Sequence, residues 1–216
     1  QIEQCLTNNK KSRCMQGLGI YSTKKGHQYK GSFKNNKPDG YGIFSTIDGQ
    51  SYLGIFKNGE LSGYGTRIYK NNRVYEGNFK KNKLEGYGVM TYADGGMYGE
   101  NTSYSGEWKN NMPDGYGIFI TKNGQNYKGG FDKGELSGIG ILTYSDGRVY
   151  RGNFEQNKRN GYGVMEYPSG ENYGEGSRYE GEWKNNKRDG KGKLIYLDDD
   201  RKLIGVFKNN AFIEKK

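Results

Sequence analysis

Histidine occurs once in this sequence, cysteine twice and proline three times. A nucleophilic triad or a histidine-based metal site needs an imidazole partnered by other reactive groups, and His27 stands alone in a stretch that reads as a turn. Cys5 and Cys14, with no further ligands around them, make no zinc pattern. Leu, Ile, Val and Phe together supply only about a sixth of the chain, too little for an ordinary two-layer core. No segment has helical periodicity, and none approaches the roughly 18 apolar residues of a membrane span. The polar start Gln1-Ile2-Glu3-Gln4 is no signal peptide, so a soluble chain is expected. A first residue other than Met leaves a fragment or processed product and a whole protein both as open readings. These scarcities leave an enzyme without residues to rest on, and the expectation is a protein with no catalytic site, no metal and no cofactor.

What the sequence has instead is 20 Tyr, 9 Phe, 2 Trp and 37 Gly. They recur in order. Tyr-x-Gly-x-aromatic begins at Tyr29, Tyr52, Tyr75, Tyr104, Tyr127, Tyr150 and Tyr179, with a Leu203-x-Gly205-x-Phe207 variant at the end. The common step is 23 residues, and the steps from Tyr75 to Tyr104 and from Tyr150 to Tyr179 are 29. A fixed period of this size indicates stacked supersecondary units rather than one globular core. The two longer steps carry equivalent insertions, Tyr98-Gly99-Glu100 and Tyr173-Gly174-Glu175, so three repeats form a larger unit present twice.

Each repeat reads as a β-hairpin. In the one starting at Tyr75, Tyr75, Gly77 and Phe79 alternate onto one face; residues 80–85 are expected as a polar turn; Gly86 to Tyr92 returns, and Ala93-Asp94-Gly95 closes the unit. A glycine opposite a ring gives the ring room over the neighbouring backbone, so a β-branched residue at Gly106 or Gly117 is expected to clash. The richer face carries the motif Tyr, Phe and Trp residues; the other carries Tyr64, Tyr87, Tyr116 and Tyr162 among charged residues. Residues 1–28 read as an atypical capping repeat, 29–202 as seven repeats and 203–216 as a partial repeat and cap, with Phe212 and Ile213 covering the last edge. Cys5 and Cys14 flank Asn8-Asn9-Lys10-Lys11; a disulfide across a hairpin and two free thiols are both open readings, and oxidation would imply an extracytoplasmic home.

The pattern Tyr-x-Gly-x-aromatic, polar turn, Gly-x-Gly resembles the MORN (membrane occupation and recognition nexus) repeat over residues 29 to 207. The resemblance implies an all-β fold: an elongated, curved and twisted single-layer antiparallel β-sheet solenoid of hairpin repeats. It also implies a scaffold that docks an extended or helical partner segment in an aromatic groove. Residues expected to line that groove are Tyr75, Phe79, Tyr104, Trp108, Tyr127, Phe131, Tyr150 and Phe154, although the same rings also serve packing between repeats. Tyr98, Glu100, Tyr173 and Glu175 in the insertions are expected as more specific contacts.

The alternative stems from a net charge of +10. Lys34, Lys57, Lys80, Lys109 and Lys184 follow the motif aromatic and would form a row along one rim, suited to anionic phospholipid or simply keeping a sheet soluble. The family name reflects such membrane association. Relatives also form dimers and serve as rods in cytoskeletal or ciliary assemblies, which implies a cytoplasmic place at a membrane or cytoskeleton. Nucleic-acid binding is disfavoured, because the aromatics that would stack bases already have a packing role.

Overall fold

The computed structural model describes residues 3–5, 16–93, 101–170, 176–198 and 200–215. The chain forms two compact units, Gln1–Met112 and Pro113–Lys216. In the first, β1 (Glu3–Cys5), β2 (Gln16–Ser22), β3 (Gln28–Lys34), β4 (Lys37–Ser45), β5 (Ser51–Lys57), β6 (Glu60–Ile68), β7 (Arg73–Lys80), β8 (Lys83–Tyr92) and β9 (Thr102–Lys109) follow one another. From β2 onward each pairs antiparallel with the next. The second contains β10 (Met112–Ile120), β11 (Asn126–Asp132), β12 (Glu135–Thr143), β13 (Val149–Glu155), β14 (Lys158–Tyr167), β15 (Ser177–Lys184), β16 (Lys187–Tyr196), β17 (Lys202–Lys208) and β18 (Ala211–Lys215), again paired antiparallel in order. The fold is all-β and built of hairpin repeats, as the period indicated. β1 is the exception, pairing parallel with β2 through Glu3↔Gly19 and Cys5↔Tyr21. Cys14 and the Cys5 side chain lie outside the described residues, as do Tyr98, Glu100, Tyr173 and Glu175.

The polar turn is shorter than residues 80–85. Only Lys81 and Asn82 turn the chain, with φ of 49° and 65°, and β8 starts at Lys83. Two left-handed residues give a twist that matches the strands they join, and Asn tolerates that conformation best among non-glycine residues. Leu84 and Glu85 therefore belong to the return strand.

The return strand bulges. Gly77 faces Gly88 and Phe79 faces Leu84, so Glu85, Gly86 and Tyr87 stand opposite the single residue Asn78. The first glycine of Gly-x-Gly supplies the bulge, as with φ of 80° at Gly86 and 90° at Gly161. The Asn78 amide donates to Tyr87 O at 3.1 Å across this irregularity, and Asn153 does the same to Tyr162 O at 3.0 Å. The second glycine has the space-making role: a Cβ at Gly65 would stand 2.6 Å from Tyr52 Oη and 2.8 Å from Leu53 O.

Successive repeats are joined at their turns by a paired bond. Asn82 N–H donates to Leu61 O at 3.1 Å, while Asn82 Oδ1 accepts from Leu61 N–H at 2.8 Å. The same two bonds link Asn111 to Leu84, Asn157 to Leu136, Asn186 to Arg159 and Asn210 to Arg188. Where the earlier residue is Pro38 or Pro113 there is no N–H to accept from, and the later residue is Gly59 or Gly134, which has no Oδ1. Only the backbone bond remains, at 2.7 Å in each case. Donor and acceptor are lost together, so neither is left unsatisfied.

Candidate functional site

The motif rings build a ladder on one face of each unit. In the first, Phe33, Tyr29, Phe56, Tyr52, Phe79, Tyr75, Trp108 and Tyr104 follow in edge-to-face contact, with centroids 4.9–5.3 Å apart. In the second, Phe131, Tyr127, Phe154, Tyr150, Trp183, Tyr179, Phe207 and Phe212 do the same at 5.0–5.3 Å. T-shaped pairs of this kind contribute about 0.5–1.5 kcal/mol each beyond area burial. Phe212 thus extends the ladder, whereas Ile213 is exposed.

Each motif tyrosine also ties the bulge. Tyr52 Oη donates to Ile55 O at 3.1 Å, Tyr75 to Asn78 O at 3.0 Å, Tyr104 to Glu107 O at 2.8 Å and Tyr127 to Gly130 O at 3.0 Å. Tyr150 and Tyr179 repeat this to Asn153 O and Glu182 O, each at 3.1 Å. Burial pushes the Tyr52 and Tyr127 phenols up to about 12 and raises Tyr75 and Tyr150 in the same sense. Trp108 Nε1 and Trp183 Nε1 donate to Gly88 O and Gly163 O, each at 3.1 Å.

All eight residues expected to line a groove lie in these ladders, from 0% exposed at Tyr75 and Tyr150 to 8% at Phe131. They are covered by their neighbours, and none of them lines the cavity of the first unit. The residues that stand open on the same face of the first unit are a flanking tier. Phe44, Thr46, Gln50, Leu61, Arg67 and Asn82 surround an open cavity of about 310 Å³ over Tyr52 and Phe56. Arg67 was not singled out by motif. Its signal is a break in the repeat: the position opposite the motif tyrosine holds Phe44, Met90, Leu142, Met165 and Leu194 elsewhere, and a guanidinium only here.

Lys34, Lys57, Lys80 and Lys109 end β3, β5, β7 and β9 and are exposed. Alternate strands in the sheet put them roughly 10 Å apart along one rim of the first unit. Lys184 occupies the same place on β15 of the second unit and is also exposed. On the opposite face Tyr41, Tyr64, Tyr87, Tyr116 and Tyr162 are more than half exposed. His27 lies beside Phe44, and among the described residues no three His, Cys, Asp or Glu side chains gather in a metal-binding group.

A family model described as the MORN repeat matches residues 29–51, 52–72, 75–97, 104–125, 127–147, 150–171 and 179–201. No curated protein matches the chain. Among solved structures, the SAS-4 (dCPAP) TCP domain of Drosophila melanogaster, in complex with a proline-rich motif of Ana2 (dSTIL), is 15% identical with a TM-score of 0.45, over 88% of this chain and 90% of that one. The G-box domain of the microcephaly protein CPAP is 14% identical with a TM-score of 0.26, over 89% of this chain and 100% of that one.

Proposed function

Because the chain belongs to the MORN-repeat family, we propose that it is a non-enzymatic scaffold that docks a segment of a partner protein on the ring face. The observation that carries this reading is the open cavity over Tyr52 and Phe56, where half-buried Phe44 and Leu61 rise from a rigid ring floor. An apolar side chain entering there leaves water and meets rings already held by their neighbours, so little ordering is required on the protein side. Tyr52 and Phe56 form the floor, Phe79 and Tyr29 hold them by edge-to-face contact, and the flanking tier makes the contact. A random displayed-peptide library selected on the immobilised chain tests this. Recovered segments are expected to lose binding to Leu61→Glu while keeping it to Tyr87→Ser on the opposite face. Segments that respond to Tyr87→Ser and ignore Leu61→Glu would overturn it.

The lysine row supports a second reading, attachment to an anionic membrane surface. Each lysine near such a surface contributes about 1 kcal/mol and is screened by salt.

A further inference from the structure

We infer that Arg67 makes the cavity a receptor for a carboxylate: the docked segment presents an Asp or Glu side chain to Arg67 beside an apolar side chain on the Tyr52–Phe56 floor. This rests on the ring-face reading and specifies what that face takes. Arg67 sits on β6 opposite Tyr52 on one side and Tyr75 on the other, on the ladder face. Its guanidinium lies 4.6 Å from the Tyr69 ring centroid, and among the described residues it has no hydrogen-bonding or acidic partner.

Packing does not call for it. The second unit carries the counterpart of this corner, where Arg148 covers Tyr144 at 4.6 Å and Leu142 stands in the place of Arg67. Arg73 likewise covers Tyr69, at 4.8 Å, so the tyrosine is covered without Arg67. Arg73 is engaged, its Nε donating to Asn71 Oδ1 at 3.0 Å. Of the polar residues around the cavity, Thr46 is bonded to Asp48 and Gln50, and Gln50 Nε2 donates to Asp48. Asn82 gives its Oδ1 to Leu61 N–H, which leaves its amide NH2 as a donor. The guanidinium fork of Arg67 matches the two oxygens of one carboxylate, with the Asn82 amide as a further donor beside it.

The test uses the whole chain and three small probes, 3-phenylpropanoate, its neutral amide and phenyl phosphate, titrated by NMR with the Leu61 methyl resonances as reporter in parent and variant and the Arg67 Nε–H resonance as a second reporter in the parent. Arg67→Met is the variant, since Met90 and Met165 fill the same place in other repeats and the fold tolerates them. The expected result is that the carboxylate binds the parent about tenfold more tightly than the amide, and that Arg67→Met erases this preference while still accepting the amide. Equal carboxylate preference in parent and variant overturns the inference and leaves ring-face docking standing. Tighter binding of phenyl phosphate overturns the carboxylate assignment. If no probe binds while library-selected segments still respond to Leu61→Glu, the docking reading survives and the Arg67 site does not.

Discussion

A tyrosine at the head of each repeat does two things that phenylalanine would not: its ring lies on glycine and its hydroxyl closes on the carbonyl three residues later. Tyr52→Phe keeps the ring and removes the bond to Ile55 O. It is expected to lower stability by about 1 kcal/mol, read as a lower denaturant midpoint at neutral pH. The raised phenols also set a pH dependence. An unfolded tyrosine ionises near its ordinary value of 10.0, whereas folded Tyr52 and Tyr127 hold their protons to about 12. The folded state then binds more protons than the unfolded one, so stability is intact below pH 10 and falls as pH rises towards 12. Urea midpoints across that range should decline in the parent and decline less steeply in Tyr52→Phe. Identical slopes would separate Tyr52 from the alkaline loss. At this scale the aromatic positions were legible from their period of two, but the hydroxyl bond was not, because it depends on a bulge that alternation does not encode.

In the hairpin, the two glycines of Gly-x-Gly have different tasks, one conformational and one steric. Gly65→Val sets a branched side chain against the Tyr52 ring and the Leu53 carbonyl, and a loss of about 3 kcal/mol or failure to fold is expected; melting like the parent would remove the ring-on-glycine packing. Between hairpins, the Asn bridge predicts a coupling. Asn82→Ala should cost about 1 kcal/mol, because Leu61 N–H loses its acceptor. Gly59→Asn alone should give little, since Pro38 has no N–H to offer. Combined with Pro38→Leu it should restore the two-bond link, and a double-mutant cycle by chemical denaturation should show favourable coupling. Additive behaviour would count against the bridge as an energetic unit. The proline-glycine pairs at 38/59 and 113/134 were visible in the sequence, but their meaning needed the bonds between repeats. The turn was overestimated for a related reason: polar residues after Phe79 signal exposure, while Lys81 and Asn82 alone reverse the chain.

For the whole chain, a net charge of +10 and a lysine row favour acidic surfaces, while the ring face favours an apolar segment. The lysine row acts only through charge and is the more strongly screened by salt. Co-sedimentation with anionic vesicles should, if the lysine row acts, weaken as salt rises and weaken further in a Lys80→Glu, Lys109→Glu double variant, with Trp108 and Trp183 fluorescence unchanged because both rings are buried. Binding that persists in salt and shifts the tryptophan signal would mean that lipid reaches the ring face. Neutral vesicles serve as the baseline.

By itself the sequence determined the family, the all-β hairpin-repeat fold and the face on which the aromatics gather, because period and alternation are local properties of a chain whose units each meet only their neighbours. Only the tertiary structure decided which of those aromatics are floor and which neighbours are reachable. Burial is set by the strand on either side, and the same Tyr-x-Gly-x-aromatic motif that reads as a binding stripe becomes a covered ladder once adjacent hairpins pair. Arg67 shows the converse: it carries no motif, and it acquires meaning as a cation only when Tyr52 and Tyr75 are set on either side of it and its counterpart is found to be Leu142.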